Sequence, residues 1–212
     1  MDPEIIAMLT LSLFLIYNPF ASLPIFISVS KGKEEKVIES YANKAIIVAG
    51  VLLAVFVIIG PFLMDIFHVT MNSFRVAGGL ILLLMSIETI FGLRLWKGGE
   101  SDAAWVIVAT PILTGPGVIT TAVLFSDQYG MLPVLLAGIV SLAVTWFILR
   151  NSARVMRIAG DQFINIMSKI VGLLIAAMAV EYIFSGTMGW FEAHEVISVF
   201  SNYIADGSFS SI

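Results

Sequence analysis

Two short motifs carry most of the polar chemistry inside the apolar part of this chain. Asn18-Pro19-Phe20-Ala21-Ser22 lies within the stretch 5–29, 25 residues without a charge. Thr114-Gly115-Pro116-Gly117, followed by Thr120 and Thr121, lies within the stretch 103–126, 24 residues without a charge. Proline has no N–H, and its ring clashes with the carbonyl four residues earlier. Pro19 is therefore expected to free the carbonyl of Leu15, and Pro116 that of Ile112. Asn18 is a good N-cap for a helix starting at Pro19, and Thr114 or Gly115 for one starting at Pro116. Each stretch then reads as two half-helices. The free N–H groups at the start of one half can hold a carboxylate. The freed carbonyls at the end of the other can hold an ammonium. A free amino acid carries both groups. Gly115 and Gly117 have no side chain, so a ligand can approach the backbone closely. The hydroxyls of Ser22, Thr114, Thr120 and Thr121 offer further hydrogen bonds. With no full charge near either break, a zwitterion suits the site better than a cation or a dianion.

The elements that must position these motifs are membrane spans. The chain has 212 residues, 59% of them hydrophobic and 12% charged. Soluble domains carry about 25% charged residues. The mean hydropathy is +1.00. The fold class is therefore an all-α integral membrane protein. A helix needs about 20 apolar residues to cross the bilayer, and six stretches qualify: 5–29, 45–67, 72–93, 103–126, 131–150 and 164–188. Spans 1 and 4 are the two broken near mid-membrane. Hydrocarbon does not tolerate unpaired backbone groups, so such breaks persist where they line a cavity or bind something. The acidic start, Met1-Asp2-Pro3-Glu4, lacks the basic region of a secretory signal. The absence of cysteine excludes disulfides and thiol chemistry. No cofactor, metal or nucleic acid partner is expected. The surrounding partner is membrane lipid.

Nine of the eleven Lys and Arg residues fall in the loops after spans 1, 3 and 5. They are Lys31, Lys33, Lys36, Lys44, Arg94, Lys97, Arg150, Arg154 and Arg157. Cytoplasmic loops carry the excess of basic residues, so both termini are expected outside the cytoplasm. The tail 191–212 is acidic and reads as a short amphipathic helix, with Val196, Ile197, Phe200 and Tyr203 at helical spacing.

Residues 1–96 and 101–190 read as two three-helix repeats. The broken helix leads each one. In span 3, Arg75, Gly78-Gly79, Met85, Glu88 and Ile90-Phe91 follow one another. In span 6, Lys169, Gly172, Met178, Glu181 and Ile183-Phe184 do so in the same order. Three spans is an odd number, so the second copy must run inverted. Inverted repeats with a broken helix in each are a secondary-transporter architecture, with the site near the midplane. Structural kinks are the competing reading, because Pro and Gly are common in membrane helices. Two breaks at equivalent positions favour a site. Glu88 and Glu181 are the acids within spans and are candidate carriers of a coupling ion. Gly78, Gly79 and Gly172 read first as packing surfaces and second as ligand contacts.

The motifs Asn18-Pro19-Phe20-Ala21-Ser22-Leu23-Pro24-Ile25-Phe26 and Thr110-Pro111-Ile112-Leu113-Thr114-Gly115-Pro116-Gly117-Val118-Ile119-Thr120-Thr121 together resemble the MarC-type family of small neutral amino acid transporters, called SnatA in archaea. The resemblance covers about residues 1–190. Phe20 and Ala21 stand where many relatives look more like Ile-Gly. The resemblance implies a prokaryotic cytoplasmic-membrane carrier of glycine, alanine and similar amino acids. It also implies alternating access and coupling to a proton or sodium gradient. The alternative is a channel or facilitator for small neutral solutes built on half-helices. Aquaporin-like channels, however, carry Asn-Pro-Ala in both halves, on re-entrant segments additional to six full spans. An enzyme is not expected, since His68 and His194 have no evident ligand spacing with acids.

Overall fold

The computed structural model describes residues 2–30, 32–92 and 115–194. Thr110, Pro111, Ile112, Leu113, Thr114, Arg94, Lys97 and the tail from 195 onward lie outside the described residues. The described residues form seven helices: α1 (Pro3–Tyr17), α2 (Pro19–Ser30), α3 (Glu35–Ile66), α4 (Met71–Phe91), α5 (Pro116–Tyr129), α6 (Met131–Arg150) and α7 (Ser152–Ala193). Among the described residues there is no strand. Five stretches there are long and apolar enough to cross a membrane: Pro3–Ser28, Glu35–Ile66, Met71–Phe91, Met131–Arg150 and Ser152–Ala193.

Each helix buries one stripe and leaves large apolar side chains on the other. On α6 the buried stripe is Val134, Ala137, Gly138, Ser141, Leu142, Thr145 and Leu149, a spacing of three and four that marks one helical face. Ile139, Val144 and Phe147 on the opposite face are exposed. Ile47 and Phe62 of α3, Leu84 of α4 and Leu173 and Phe184 of α7 are exposed in the same way. So much uncovered apolar surface suits lipid and not water. Helix α5 is the exception. Every residue from Gly117 to Ser126 except Ile119 is buried, because α1, α3, α4 and α6 all pack on it. It is the axis of the bundle.

The remaining packing is selective. α4 lies along α7, α1 along α6 and α3 along both α5 and α6, while α2 rests on α7 and α6. Small residues set the close approaches, since hydrocarbon gives helices no other drive to associate than packing and hydrogen bonds. A Cβ on Gly79 would meet the Ala179 carbonyl oxygen and Ile183 Cγ1, each at 2.7 Å. A Cβ on Gly172 would meet Ile90 at 3.0 Å and Thr89 at 3.2 Å. Gly138 sits against Leu53.

The structure corrects three boundaries. Span 2 starts at Glu35 and not at 45. Lys36 and Lys44 are therefore on a helix, since the run Glu35–Lys44 contains no breaker. The expected 5–6 loop from Arg150 to Asp161 is helical from Ser152. It is interrupted at Gly160, where φ is 77° and ψ is 157°, a conformation open to glycine and costly for other residues. Span 6 continues to Ala193, past its expected end at 188. Between α3 and α4 the turn follows its sequence closely. His68 takes a left-handed φ of 51°, and the Thr70 hydroxyl caps α4 by accepting from the Ser73 N–H at 3.2 Å.

A polar clamp fastens α3 to α6 at their basic ends. Trp146 Nε1 donates to Asn43 Oδ1 at 2.6 Å. One turn away, Arg150 pairs with Glu39 at 3.0 Å and lies 5.0 Å from the Trp146 ring centre. Asn43→Leu strands the indole N–H in a part-buried site. A buried donor without a partner costs about 1–3 kcal/mol. The expected result is a loss of that size in an unfolding titration of the detergent-solubilised protein, and less for Asn43→Gln.

Candidate functional site

The first break is a single residue. α1 ends at Tyr17, Asn18 adopts φ 43° and ψ 63°, and α2 begins at Pro19. Asparagine visits this left-handed region more readily than other residues that carry a Cβ. Its N–H turns back onto α1, donating to Leu15 O at 3.1 Å and Phe14 O at 3.2 Å. Its side-chain Oδ1 accepts from the Ala21 N–H at 3.2 Å. Its own carbonyl accepts from the Ala21 and Ser22 N–H groups and from the Ser22 hydroxyl at 3.3 Å. Phe14 and Phe20 close over the break edge to face, their ring centres 6.3 Å apart.

This geometry corrects the expectation for the freed carbonyl. Leu15 is not free, because the left-handed turn brings the Asn18 N–H to it. The turn thus sets the carbonyl end of α1 against the amide start of α2 within a few residues. Asn18, Pro19, Ser22 and Tyr17 are buried, while Phe20 and Ala21 are half-buried. Among the described residues the Tyr17 hydroxyl, on a residue 1% exposed, has no hydrogen-bond partner.

At the second motif, whose residues before Gly115 lie outside the described ones, Gly115 caps α5 with extended backbone, φ −60° and ψ 167°, and Pro116 is the first helical residue. The Val118 N–H donates to the Gly115 carbonyl at 3.0 Å. The Thr120 hydroxyl donates to the Pro116 carbonyl at 2.9 Å. The approach surface expected at Gly115 and Gly117 is not open: α4 fills it. A Cβ on Gly115 would meet Met85 Cε at 2.8 Å, and one on Gly117 would meet Leu82 Cδ2 at 2.6 Å and Met85 Sδ at 3.1 Å. One turn on, Gly78 lies against the Thr120 methyl so closely that a Cβ would overlap it. Gly78, Leu82 and Met85 thus form one antiparallel seam with Thr120, Gly117 and Gly115. Met85 is unbranched and adaptable, so it is the member of the seam that can move aside at least cost.

The other expected site residues are placed as follows. Gly79 and Gly172 lie in the α4–α7 contact and not at a break. Glu88 is half-buried near the end of α4. Glu181 is exposed on α7 and lines a cavity with Arg75, Gln128 and Tyr182. Sequence reasoning missed Met85, Leu82 and Tyr182, because an apolar or aromatic side chain in a span has no signature until its neighbours are known. Among the described residues the Thr121 hydroxyl, 0% exposed, has no hydrogen-bond partner; it lies beside the Tyr182 hydroxyl without the geometry of a hydrogen bond.

The family model described as "MarC family integral membrane protein" matches residues 4–191. The chain belongs to the MarC family. A UPF0056 membrane protein of Methanocaldococcus jannaschii is 32% identical to it over 202 residues, covering 89% of this chain and 98% of the relative. A UPF0056 membrane protein of Archaeoglobus fulgidus is 30% identical, covering 82% and 88%. The UPF0056 membrane protein YhcE of Escherichia coli is 25% identical, covering 85% and 91%. No solved structure matches. With its lipid-suited apolar faces, this MarC protein is an integral multi-pass protein of a prokaryotic cell membrane. The MarC match ends at the same place as α7, within a few residues.

Proposed function

We propose that this MarC protein is a secondary transporter of small neutral amino acids, glycine and alanine among them. It works by alternating access of two inverted three-helix repeats. Both termini lie outside the cytoplasm, and a proton or sodium gradient drives the cycle. The observation that carries the reading is the buried break at Asn18, where one half-helix ends in a left-handed turn and the next begins at Pro19. The carbonyl end of one half-helix beside the amide start of the other suits a ligand with an ammonium and a carboxylate on one carbon. α5 supplies a second helix start from the other half of the chain.

The packing supports the repeat. Pro19 and Pro116 start α2 and α5, so α2 corresponds to α5. Exchanging spans 1, 2 and 3 with 4, 5 and 6 then turns the α2–α6 contact into the α3–α5 contact and the α2–α7 contact into the α4–α5 contact, and it leaves α4–α7 and α3–α6 as they are. At residue level, Gly79 meets Ile183 and Gly172 meets Ile90. These four positions are displaced by one common interval, the reciprocity that a two-fold axis in the membrane plane would generate. Glu88 and Glu181 are the candidates for ion coupling, and the protein is not an enzyme.

The channel reading is separated by counterflow. Proteoliposomes preloaded with unlabelled alanine are expected to accumulate labelled glycine transiently and saturably, and to do so faster under an imposed proton or sodium gradient. Flux that rises linearly with glycine and shows no counterflow identifies a channel. Absence of any glycine flux removes the amino acid reading.

A further inference from the structure

A cavity of about 460 Å³ opens between α1, α4, α5 and α7. Its size lies in the range of small-molecule sites. It brings two opposite charges together: Arg75 from α4 and Glu181 from α7, with Gln128 from α5 beside them. Arg75 is half-buried and Glu181 exposed. Among the described residues neither is in an ion pair; the pair present there is Arg150–Glu39, at the other end of the bundle. Two opposite charges lining one small cavity are complementary to a ligand that carries both signs. A guanidinium presents paired donors to a carboxylate, and a carboxylate accepts from an ammonium.

The wall of this cavity leads inward. Tyr182 lines it, and beside the Tyr182 hydroxyl lies that of Thr121, which is fully buried and has no hydrogen-bond partner among the described residues. A buried hydroxyl without a partner is costly. Ser12 on α1 and Leu124 on α5 also line the cavity. At 1.5 Å per residue, Asn18 is about 9 Å further along α1 and Gly115 about 13 Å further back along α5. Both breaks therefore lie on the inner side of the cavity, beyond the hydroxyl pair.

We propose that this cavity is a reception site for the zwitterion of an α-amino acid, with Arg75 taking the carboxylate and Glu181 the ammonium. The ligand then passes the Thr121 and Tyr182 hydroxyls to the buried breaks. This rests on the transport reading above and adds a first station to it. It also gives Glu181 a role in binding and not only in coupling.

The test is the concentration dependence of labelled glycine uptake in proteoliposomes containing the full chain. Arg75→Gln and Glu181→Gln are each expected to raise the KM for glycine by about tenfold or more, the loss of one charge-assisted contact. The maximal rate should stay within about twofold. Arg75→Lys should lose less, because it keeps the charge. Glu181 is exposed, so Glu181→Gln is not at risk of misfolding even if Arg75→Gln is. Uptake by both glutamine variants with the wild-type KM overturns the reception site and leaves the transport reading standing. A Glu181→Gln protein with unchanged KM that no longer responds to an imposed proton gradient also overturns it, by making Glu181 a proton carrier. No glycine uptake by the wild type removes the transport reading itself, and the reception site with it.

Discussion

Joining α1 to α2 by the double substitution Asn18→Leu/Pro19→Ala is expected to lower glycine uptake by about 100-fold or more, with the protein still inserted and folded. The reasoning starts at the backbone. Pro19 removes one N–H, and Asn18 turns the chain through the left-handed region. The result is that the helix ladder stops at Tyr17 and restarts at Pro19, with the carbonyl end of one half-helix beside the amide start of the next. Leucine disfavours that turn by roughly 1–2 kcal/mol, and alanine restores the missing donor. A continuous helix then pairs Leu15 O with residue 19, Ile16 O with Phe20 and Tyr17 O with Ala21, in the ordinary 13-atom rings. No backbone group is left for a ligand. Two hydrogen bonds to a charged ligand are worth about 1.5–3 kcal/mol each, which gives the expected loss. The measurement is uptake per unit of folded protein, with thermal unfolding in detergent alongside. A variant that unfolds at the same temperature or higher and yet transports at the wild-type rate would place the site elsewhere.

Gly78→Ala is expected to destabilise the protein by about 1–3 kcal/mol, the usual cost of overpacking a close contact, and Thr120→Ser to restore more than half of that loss. The added Cβ overlaps the Thr120 methyl. Serine lacks that methyl but keeps the hydroxyl that donates to the Pro116 carbonyl at 2.9 Å. The rescue is therefore specific to the overlap and leaves the start of α5 intact. A double-mutant cycle in an unfolding titration reads the coupling directly. Additive effects would mean that α4 and α5 do not touch here. Gly78 is the same type of residue as Gly79, but it faces a different helix. Gly79→Ala meets a backbone carbonyl, which cannot be trimmed, so no single side-chain substitution on α7 should rescue it.

These two variants also separate what holds the breaks from what the breaks are for. The first removes backbone groups and leaves the packing. The second disturbs the packing and leaves the backbone groups. Loss of transport in the second, out of proportion to the loss of stability, would tie the α4 seam to the movement of α5.

The sequence by itself determined the membrane class and the helix starts at Pro19 and Pro116. It did so because charge-free length and proline act locally: a proline lacks its N–H wherever the chain folds. It also set Gly78-Gly79 against Gly172 and Ile90 against Ile183, through order alone. It misjudged the ends of spans 2 and 6, since a charged helix turn outside the hydrocarbon has no hydropathy signal. The tertiary structure decided the rest. It turned the Asn18 N–H onto Leu15, whose carbonyl the proline had been expected to free. It laid Leu82 and Met85 over Gly117 and Gly115, where bare glycines had suggested open space. It brought Arg75 and Glu181, more than a hundred residues apart in the chain, into one cavity. Each of these depends on which helix lies beside which, and that is fixed by side-chain packing across the bundle and not by any local run of residues.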